Sequence, residues 1–81
     1  MEAALDATTT LSKLPIGTEA RVIAVNGEGA VTRRLLEMGV IPGVSVTIVK
    51  KAPFGDPIEV RVRGYSLAMR RSEAEAINVA V

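Results

Sequence analysis

The 81-residue chain contains no cysteine and no histidine. Without cysteine there is neither a disulfide framework nor a thiolate metal site. Without histidine the chain lacks the commonest general base and the commonest ligand of transition metals. We therefore expect a protein that is not an enzyme and has no tightly bound cofactor. A reducing, cytoplasmic location fits the lack of cysteine.

Aromatic residues, cationic leader segments and long apolar runs are also scarce or missing. One tyrosine, one phenylalanine and no tryptophan leave a core of aliphatic side chains and methionine. No stretch approaches the roughly 18–20 apolar residues that cross a bilayer. Residues 1–6 carry acids where a secretory signal needs cations. We expect a soluble protein that meets a membrane only through a partner.

The length suits one small domain. Residues 1–10 show no sustained period and are expected to form a flexible tail, which leaves 11–81 as the domain. In several segments of this domain apolar residues alternate with polar ones, which indicates antiparallel strands with one buried face. The apolar members are Val44, Val46 and Ile48; Ile58, Val60 and Val62; Tyr65, Leu67 and Met69; and Ile77, Val79 and Val81.

The predicted fold is mainly β. About five short strands with one apolar face cannot stay open without exposing it, so we expect them to close into a small SH3-like barrel. Arg63-Gly64 predicts the tightest hairpin turn. Ser72 and Glu75 match the S-x-x-E capping box and predict a helical turn near 73–76.

The β-branched run from Ala20 to Val25 predicts the first strand, and one short helix, at about 30–38, is expected between it and the strand that begins near Val44. Val31, Leu35 and Met38 recur on one face of a 3.6-residue period. A helix of this length is marginal alone in water, so this face must pack against the sheet. Leu36 is rotated by about 100° from Leu35 and therefore lies on the outer side.

The helix is expected to stop sharply. Gly39 stands where a helix-ending residue needs positive φ, and Val40 can supply the apolar contact of a Schellman cap. Pro42 and Gly43 suit the two central positions of a type II turn. The chain is thereby turned from the helix directly into a strand.

The charged residues leave two binding functions open. Carboxylates alone suit hard cations better than Zn²⁺, so a metal-sensing module that binds Fe²⁺ weakly through Asp and Glu is one alternative, with its ligands unknown. A basic stripe could bind RNA, but aromatic stacking platforms are nearly absent and a solvated face is favoured. The carboxylates are Glu19, Glu28, Glu37, Asp56, Glu59, Glu73 and Glu75, and the stripe is Lys50, Lys51, Arg61, Arg63, Arg70 and Arg71.

Gly27-Glu28-Gly29 resembles a fragment of a phosphate-binding loop. A Walker loop needs a Lys-Ser or Lys-Thr pair at a fixed spacing after its first glycine, and none follows. A plain connection between strand and helix is therefore favoured.

An ordered set of motifs from about Leu11 to Val81 resembles the ferrous iron transport protein A (FeoA) family. The motifs are Leu11-x-x-Leu14-x-x-Gly17, Arg34-Leu35-x-x-Met38-Gly39-x-x-Pro42-Gly43, Ala52-Pro53-x-Gly55-Asp56-Pro57-Ile58, Val62-Arg63-Gly64, Leu67-Ala68-Met69-Arg70 and Ala74-x-x-Ile77-x-Val79. The resemblance implies a stand-alone SH3-like domain and a small cytoplasmic accessory of bacterial ferrous iron uptake. It also implies a partner, the membrane permease that carries a cytosolic GTP-binding domain, which the accessory docks to and modulates.

On this interpretation, five residues on the outer side of the helix and the turn after it are expected to bind the partner. An outward leucine beside arginines is more than core packing requires, so Leu36 either covers a strand or docks to a partner. In the second case the exposed turn after the helix extends the same surface. We expect no nucleic acid partner, and a homodimer is left open. The predicted docking residues are Arg33, Leu36, Glu37, Ile41 and Pro42.

Overall fold

The structure is a computed structural model that describes residues 8–27 and 29–81. In chain order its elements are β1 (Thr8–Thr10), a 3₁₀ turn (Leu11–Lys13), β2 (Glu19–Val25), α1 (Ala30–Glu37), β3 (Ser45–Lys51), β4 (Ile58–Val62), β5 (Tyr65–Met69), α2 (Arg71–Glu75) and β6 (Ile77–Ala80). Within the described residues the strands form one antiparallel sheet of six, in the order β1-β6-β2-β3-β4-β5. The mainly β class and the inserted helix are confirmed.

The β3–β4 hairpin shows how the alternating pattern builds the core. Val46 lies opposite Val62 and Ile48 lies opposite Val60, and all four side chains are buried. β-Branched residues suit such a pleated, half-buried surface. The turn between β4 and β5 is as tight as predicted, because Val62 pairs directly with Tyr65 across two residues with positive φ.

The core is aliphatic and draws on every type of element. Leu11 of the 3₁₀ turn, Leu35 of α1 and Ala74 of α2 are fully buried against the strands. The other core side chains are Leu14, Ala20, Val22, Val40, Val46, Ile48, Ile58, Val60, Val62, Met69, Ile77 and Val79.

Three apolar residues that the patterns placed inside are exposed. Val31 is 42% exposed, because α1 packs through its C-terminal half, where Leu35 is buried. Val81 is 61% exposed, because it follows the last residue of β6. Tyr65 is 45% exposed, because it begins β5 at the hairpin tip and reaches α1 instead of the core. These three predictions were wrong.

The predicted end of the helix is confirmed. Gly39 has φ of 96°, its N–H donates to the carbonyl of Leu36 at 3.0 Å, and the N–H of Val40 donates to the carbonyl of Leu35 at 3.0 Å. These are the two hydrogen bonds of a Schellman motif. Gly43 has φ of 98° and the N–H of residue 44 donates to the carbonyl of residue 41 at 3.2 Å, as a type II turn requires.

Two predictions near the ends of the chain differ from the structure. Thr8–Thr10, inside the segment predicted to be a tail, form β1 and pair with β6, which gives six strands instead of about five. Residues 1–7 of that segment lie outside the described residues. The capping box is formed by Glu73, whose carboxylate accepts the N–H of Arg70 at 2.8 Å. The predicted Ser72–Glu75 box is therefore wrong by two residues.

Candidate functional site

The outer face of α1 brings three of the five predicted docking residues together. Arg33, Leu36 and Glu37 are spaced i, i+3 and i+4, which places them on one face of the helix. They line one shallow depression, which we call the α1 groove, with Gly27, Gly29 and Thr32. Leu36 is 40% exposed there, so the groove offers a large apolar side chain between a cation and an anion.

The loop before α1 forms one edge of the α1 groove, and two hydrogen bonds fix its position. The N–H of Asn26 donates to the carbonyl of Ala76 at 2.6 Å, and the hydroxyl of Thr32 donates to the carbonyl of Asn26 at 3.4 Å. A Cβ on Gly27 would lie 3.2 Å from the Thr32 hydroxyl oxygen, so glycine gives this loop room to lie against the helix. This rim of the groove is formed largely by backbone.

The other two predicted residues lie in the turn that follows α1, not in the α1 groove. Ile41 is 37% exposed and Pro42 is also exposed. The N–H of Gly43 donates to the carbonyl of Val22 at 2.8 Å, which fastens the turn to β2. The turn therefore presents two apolar side chains on a backbone that is tied to the sheet.

Tyr65 connects the end of α1 to the β4–β5 hairpin. Its hydroxyl donates to the carbonyl of Met38, one of the helix-terminal carbonyls that lack an intrahelical partner. A Cβ on Gly39 would lie 2.6 Å from the Tyr65 hydroxyl oxygen. Glycine therefore suits position 39 for two reasons. The cap needs a positive φ, and the tyrosine hydroxyl leaves no room for a Cβ.

A second polar contact holds the middle of α1. Nη1 of Arg34 lies 3.0 Å from Oε2 of Glu73, whose side chain is only 6% exposed. The other oxygen of the same carboxylate accepts the N–H of Arg70. Two charge-assisted hydrogen bonds thus satisfy a buried carboxylate and link α1 to the start of α2.

The metal-sensing alternative finds no assembled ligand cluster in the described part of the chain. Among residues 8–27 and 29–81, no three carboxylates come together as metal ligands. Glu28, one of the candidate ligands, lies outside the described residues. In the same ranges no helix is long and apolar enough to cross a membrane.

The family assignment follows from comparison with known proteins. Residues 9–81, nearly the whole described chain, match the FeoA domain model. The chain belongs to the FeoA domain family. The motifs that suggested this family in the sequence span the same residues.

Two solved FeoA structures share the fold. FeoA from Chlorobium tepidum, solved by solution NMR, is 45% identical with a TM-score of 0.84, and the match covers 90% of this chain and 70% of that one. A zinc-complexed FeoA from Stenotrophomonas maltophilia, described as a prokaryotic SH3 domain protein, is 40% identical with a TM-score of 0.79, and the match covers 88% of each chain. The predicted SH3-like fold is thereby confirmed.

A curated relative carries this domain within a much longer chain. It is the Fe(2+) transport protein A/Fe(2+) transporter FeoB fusion protein of Porphyromonas gingivalis, 39% identical over 69 residues. The match covers 85% of this FeoA domain and 8% of the relative. This chain therefore spans about one-twelfth of the length of that relative.

Sequence reasoning missed two residues of this region. Thr32 lies one helical turn before Leu36, so the same i, i+4 spacing that grouped the other groove residues could have found it. Tyr65 was assigned to the core because it continues an alternating pattern. No short-range signal relates it to Gly39, which is distant in sequence and close only in the fold.

Proposed function

We propose that this FeoA domain is a non-enzymatic accessory of ferrous iron uptake. It docks on the cytoplasmic side of a ferrous iron permease with a GTP-binding domain and modulates that permease. Its docking surface is the α1 groove together with the turn at Ile41 and Pro42. The observation that carries this proposal is the FeoA–FeoB fusion, in which a relative of this domain is part of the same polypeptide as the transporter.

The fusion supports the partner because domains joined in one chain are held at high effective concentration. Stand-alone FeoA chains would need a surface with enough affinity to replace that covalent link. The Stenotrophomonas relative, for which an activating role in ferrous iron transport has been suggested, fits an accessory of this kind.

The geometry supports this choice of surface. Leu36 and Ile41 are large apolar side chains that remain 40% and 37% exposed on a well-fastened backbone. Arg33 and Glu37 flank Leu36 with charges of both signs. A partly apolar centre with a charged rim is the usual composition of a transient protein interface.

The proposal is tested by measuring the affinity of this protein for the purified GTP-binding domain of its permease by calorimetry. Leu36→Glu should weaken binding at least tenfold, because a leucine buried at an interface contributes about 1.5–3 kcal/mol. Val31→Glu is the matched control, since Val31 is 42% exposed on the same helix. It is rotated by about 140° from Leu36 and should bind normally.

Thermal melts of both variants establish that they fold. Equal weakening by the two substitutions would show that α1 acts only through its stability or charge. Full affinity in a folded Leu36→Glu variant would exclude the α1 groove. The absence of any binding by the wild-type protein would contradict the proposed partner domain.

A further inference from the structure

The only phenylalanine of the chain stands at the tip of the β3–β4 loop, residues 52–57. Phe54 is 92% exposed, whereas the other exposed large apolar residues among 8–27 and 29–81 range from 37% to 61%. Single exposed apolar side chains are ordinary on protein surfaces. Phe54 nevertheless is one of two aromatic residues in the protein, and it contributes nothing to the core.

The loop holds this phenylalanine in an ordered turn. The N–H of Gly55 donates to the carbonyl of Ala52 at 2.7 Å, which closes a four-residue turn with Phe54 at its third position. The carboxylate of Asp56 accepts the backbone N–H of Arg71 at 3.0 Å, which ties the loop to the start of α2. The exposure of Phe54 is therefore a feature of a fixed turn.

Cationic side chains surround the base of this loop. Lys13, Lys51 and Arg71 line one depression beside Gly55. Arg34 and Arg70 line a second depression beside Pro57, and Lys50 lines a third. The carboxylates at these depressions, or bonded to their cations, are Asp56, Glu59, Glu73 and Glu75.

The balance of these charges favours an anionic partner. The six cations outnumber the four carboxylates by two at this end, whereas the whole chain carries only +1. One carboxylate, Glu73, is buried and bonded to Arg34, and another, Glu75, lies 3.4 Å from Arg71. Within residues 8–27 and 29–81, Arg70 and the three lysines form no ion pair, and Lys50 lies opposite Glu59 across the β3–β4 hairpin.

We propose that the 52–57 loop contacts an anionic lipid bilayer, with Phe54 entering the boundary between headgroups and acyl chains. Phenylalanine, like tryptophan and leucine, enters that boundary from interfacial segments, and lysines and arginines near it gain attraction to anionic lipids. A single ring on a convex tip fits a deformable lipid surface, whereas a protein partner would need a preformed pocket. Nucleic acid would be expected to stack on several aromatic platforms, and only one ring is present here.

The 52–57 loop and the turn at Ile41 and Pro42 lie at opposite ends of β3, although Arg34 of α1 lines a depression beside Pro57. The turn at 41–44 enters β3 at Ser45, and the 52–57 loop leaves it after Lys51. Seven strand residues separate the two ends by about 20 Å. The inference does not rest on the proposed docking function, and it differs from the expectation that the chain meets a membrane only through its partner.

The test uses tryptophan fluorescence, because the chain has no tryptophan of its own. Phe54→Trp should show a blue-shifted emission with vesicles of phosphatidylcholine and phosphatidylglycerol. It should show no shift with phosphatidylcholine alone, and the shift should disappear at high salt. Ile23→Trp is the matched reporter, because Ile23 is 48% exposed at the β2 bulge, near the other end of β3. Its emission should not change.

Vesicle flotation of tryptophan-free variants completes the test. Phe54→Ser should reduce the partition coefficient of the wild-type protein about tenfold, the effect of removing one buried ring. The Lys13→Gln/Lys51→Gln double variant should reduce it similarly at low salt. Equal flotation of Phe54→Ser and wild type would reject insertion of the ring, and a shift at both reporters would reject this loop as the contact. No wild-type flotation at low salt would overturn the proposal, whatever the result with the permease domain.

Discussion

The clearest prediction of the fold concerns Gly39, where two separate demands coincide. Gly39→Ala places a side chain at φ of 96°, and its Cβ would lie 2.6 Å from the Tyr65 hydroxyl oxygen. Gly43→Ala is the matched control, because Gly43 has φ of 98° but no atom within 4 Å of its ideal Cβ. Both substitutions strain the backbone, and only the first displaces the tyrosine.

The magnitudes follow from those two terms. The left-handed conformation costs an L residue about 1–2 kcal/mol, so the free energy of unfolding of both variants should fall by about that amount. Gly39→Ala should lose about 1 kcal/mol more, the net value of the hydrogen bond from Tyr65 to the carbonyl of Met38. In a domain of this size, each kcal/mol lowers the melting temperature by about 4–8 °C.

A double-mutant cycle, measured by urea or thermal unfolding, isolates the contribution of the hydrogen bond from Tyr65. Without the hydroxyl, in a Tyr65→Phe background, the nearest atoms to a Cβ on Gly39 are ordinary contacts at 3.8 Å. The extra cost of Gly39→Ala should then vanish, which gives a coupling energy of about 1 kcal/mol. Equal costs for Gly39→Ala and Gly43→Ala in the wild-type background would refute the close approach of Tyr65.

Two further predictions address how α1 is held. Glu73→Ala should lower the free energy of unfolding by about 2 kcal/mol, because the α2 cap and the bond to Arg34 are both lost. Arg34→Ala should cost less than Glu73→Ala, because the buried Glu73 carboxylate keeps its bond to the N–H of Arg70 and the Arg34 side chain is itself 56% exposed; a larger loss for Arg34→Ala than for Glu73→Ala would contradict this ranking. Leu35→Ala should cost about 2–5 kcal/mol as a core truncation, whereas Leu36→Ala should change stability by less than about 0.5 kcal/mol. Similar losses for the two leucines in chemical denaturation would show that Leu36 belongs to the core.

The features that the sequence predicted well depend on residues whose own geometry fixes the outcome. Gly39 and the Pro42-Gly43 pair determine the backbone locally, so the Schellman cap and the turn were predictable. The alternation along β3 and β4 was equally informative, because both strands have one buried and one exposed face.

The predictions from sequence failed where contacts between distant parts of the chain determine the structure. Val31 has the right period for burial, but only the position of α1 on the sheet determines that its first turn projects beyond the core. Glu73 takes the capping role over the Ser72 box because burial and Arg34 favour its carboxylate, and Arg34 comes from a distant part of the chain. Thr8–Thr10 carry no alternating signal, and their strand exists through pairing with β6.

The candidate site was predictable to the extent that it is helical. Arg33, Leu36 and Glu37 share a face by spacing alone, and the structure places them in one groove. Ile41 and Pro42 follow the cap, where the chain reverses. Helical spacing therefore could not predict where these two residues lie relative to the α1 groove. Whether all five contact one partner surface stays a prediction.

The most direct test of the docking function is an amide-resolved NMR titration of this protein with the GTP-binding domain of its permease, under anaerobic conditions with and without Fe²⁺. We predict chemical-shift changes that cluster on residues 31–43 and leave the 52–57 loop unchanged. Changes elsewhere, with 31–43 silent, would contradict the proposed docking surface. A response to Fe²⁺ alone, localised at carboxylates and without any response to the domain, would favour a metal sensor and contradict the adapter.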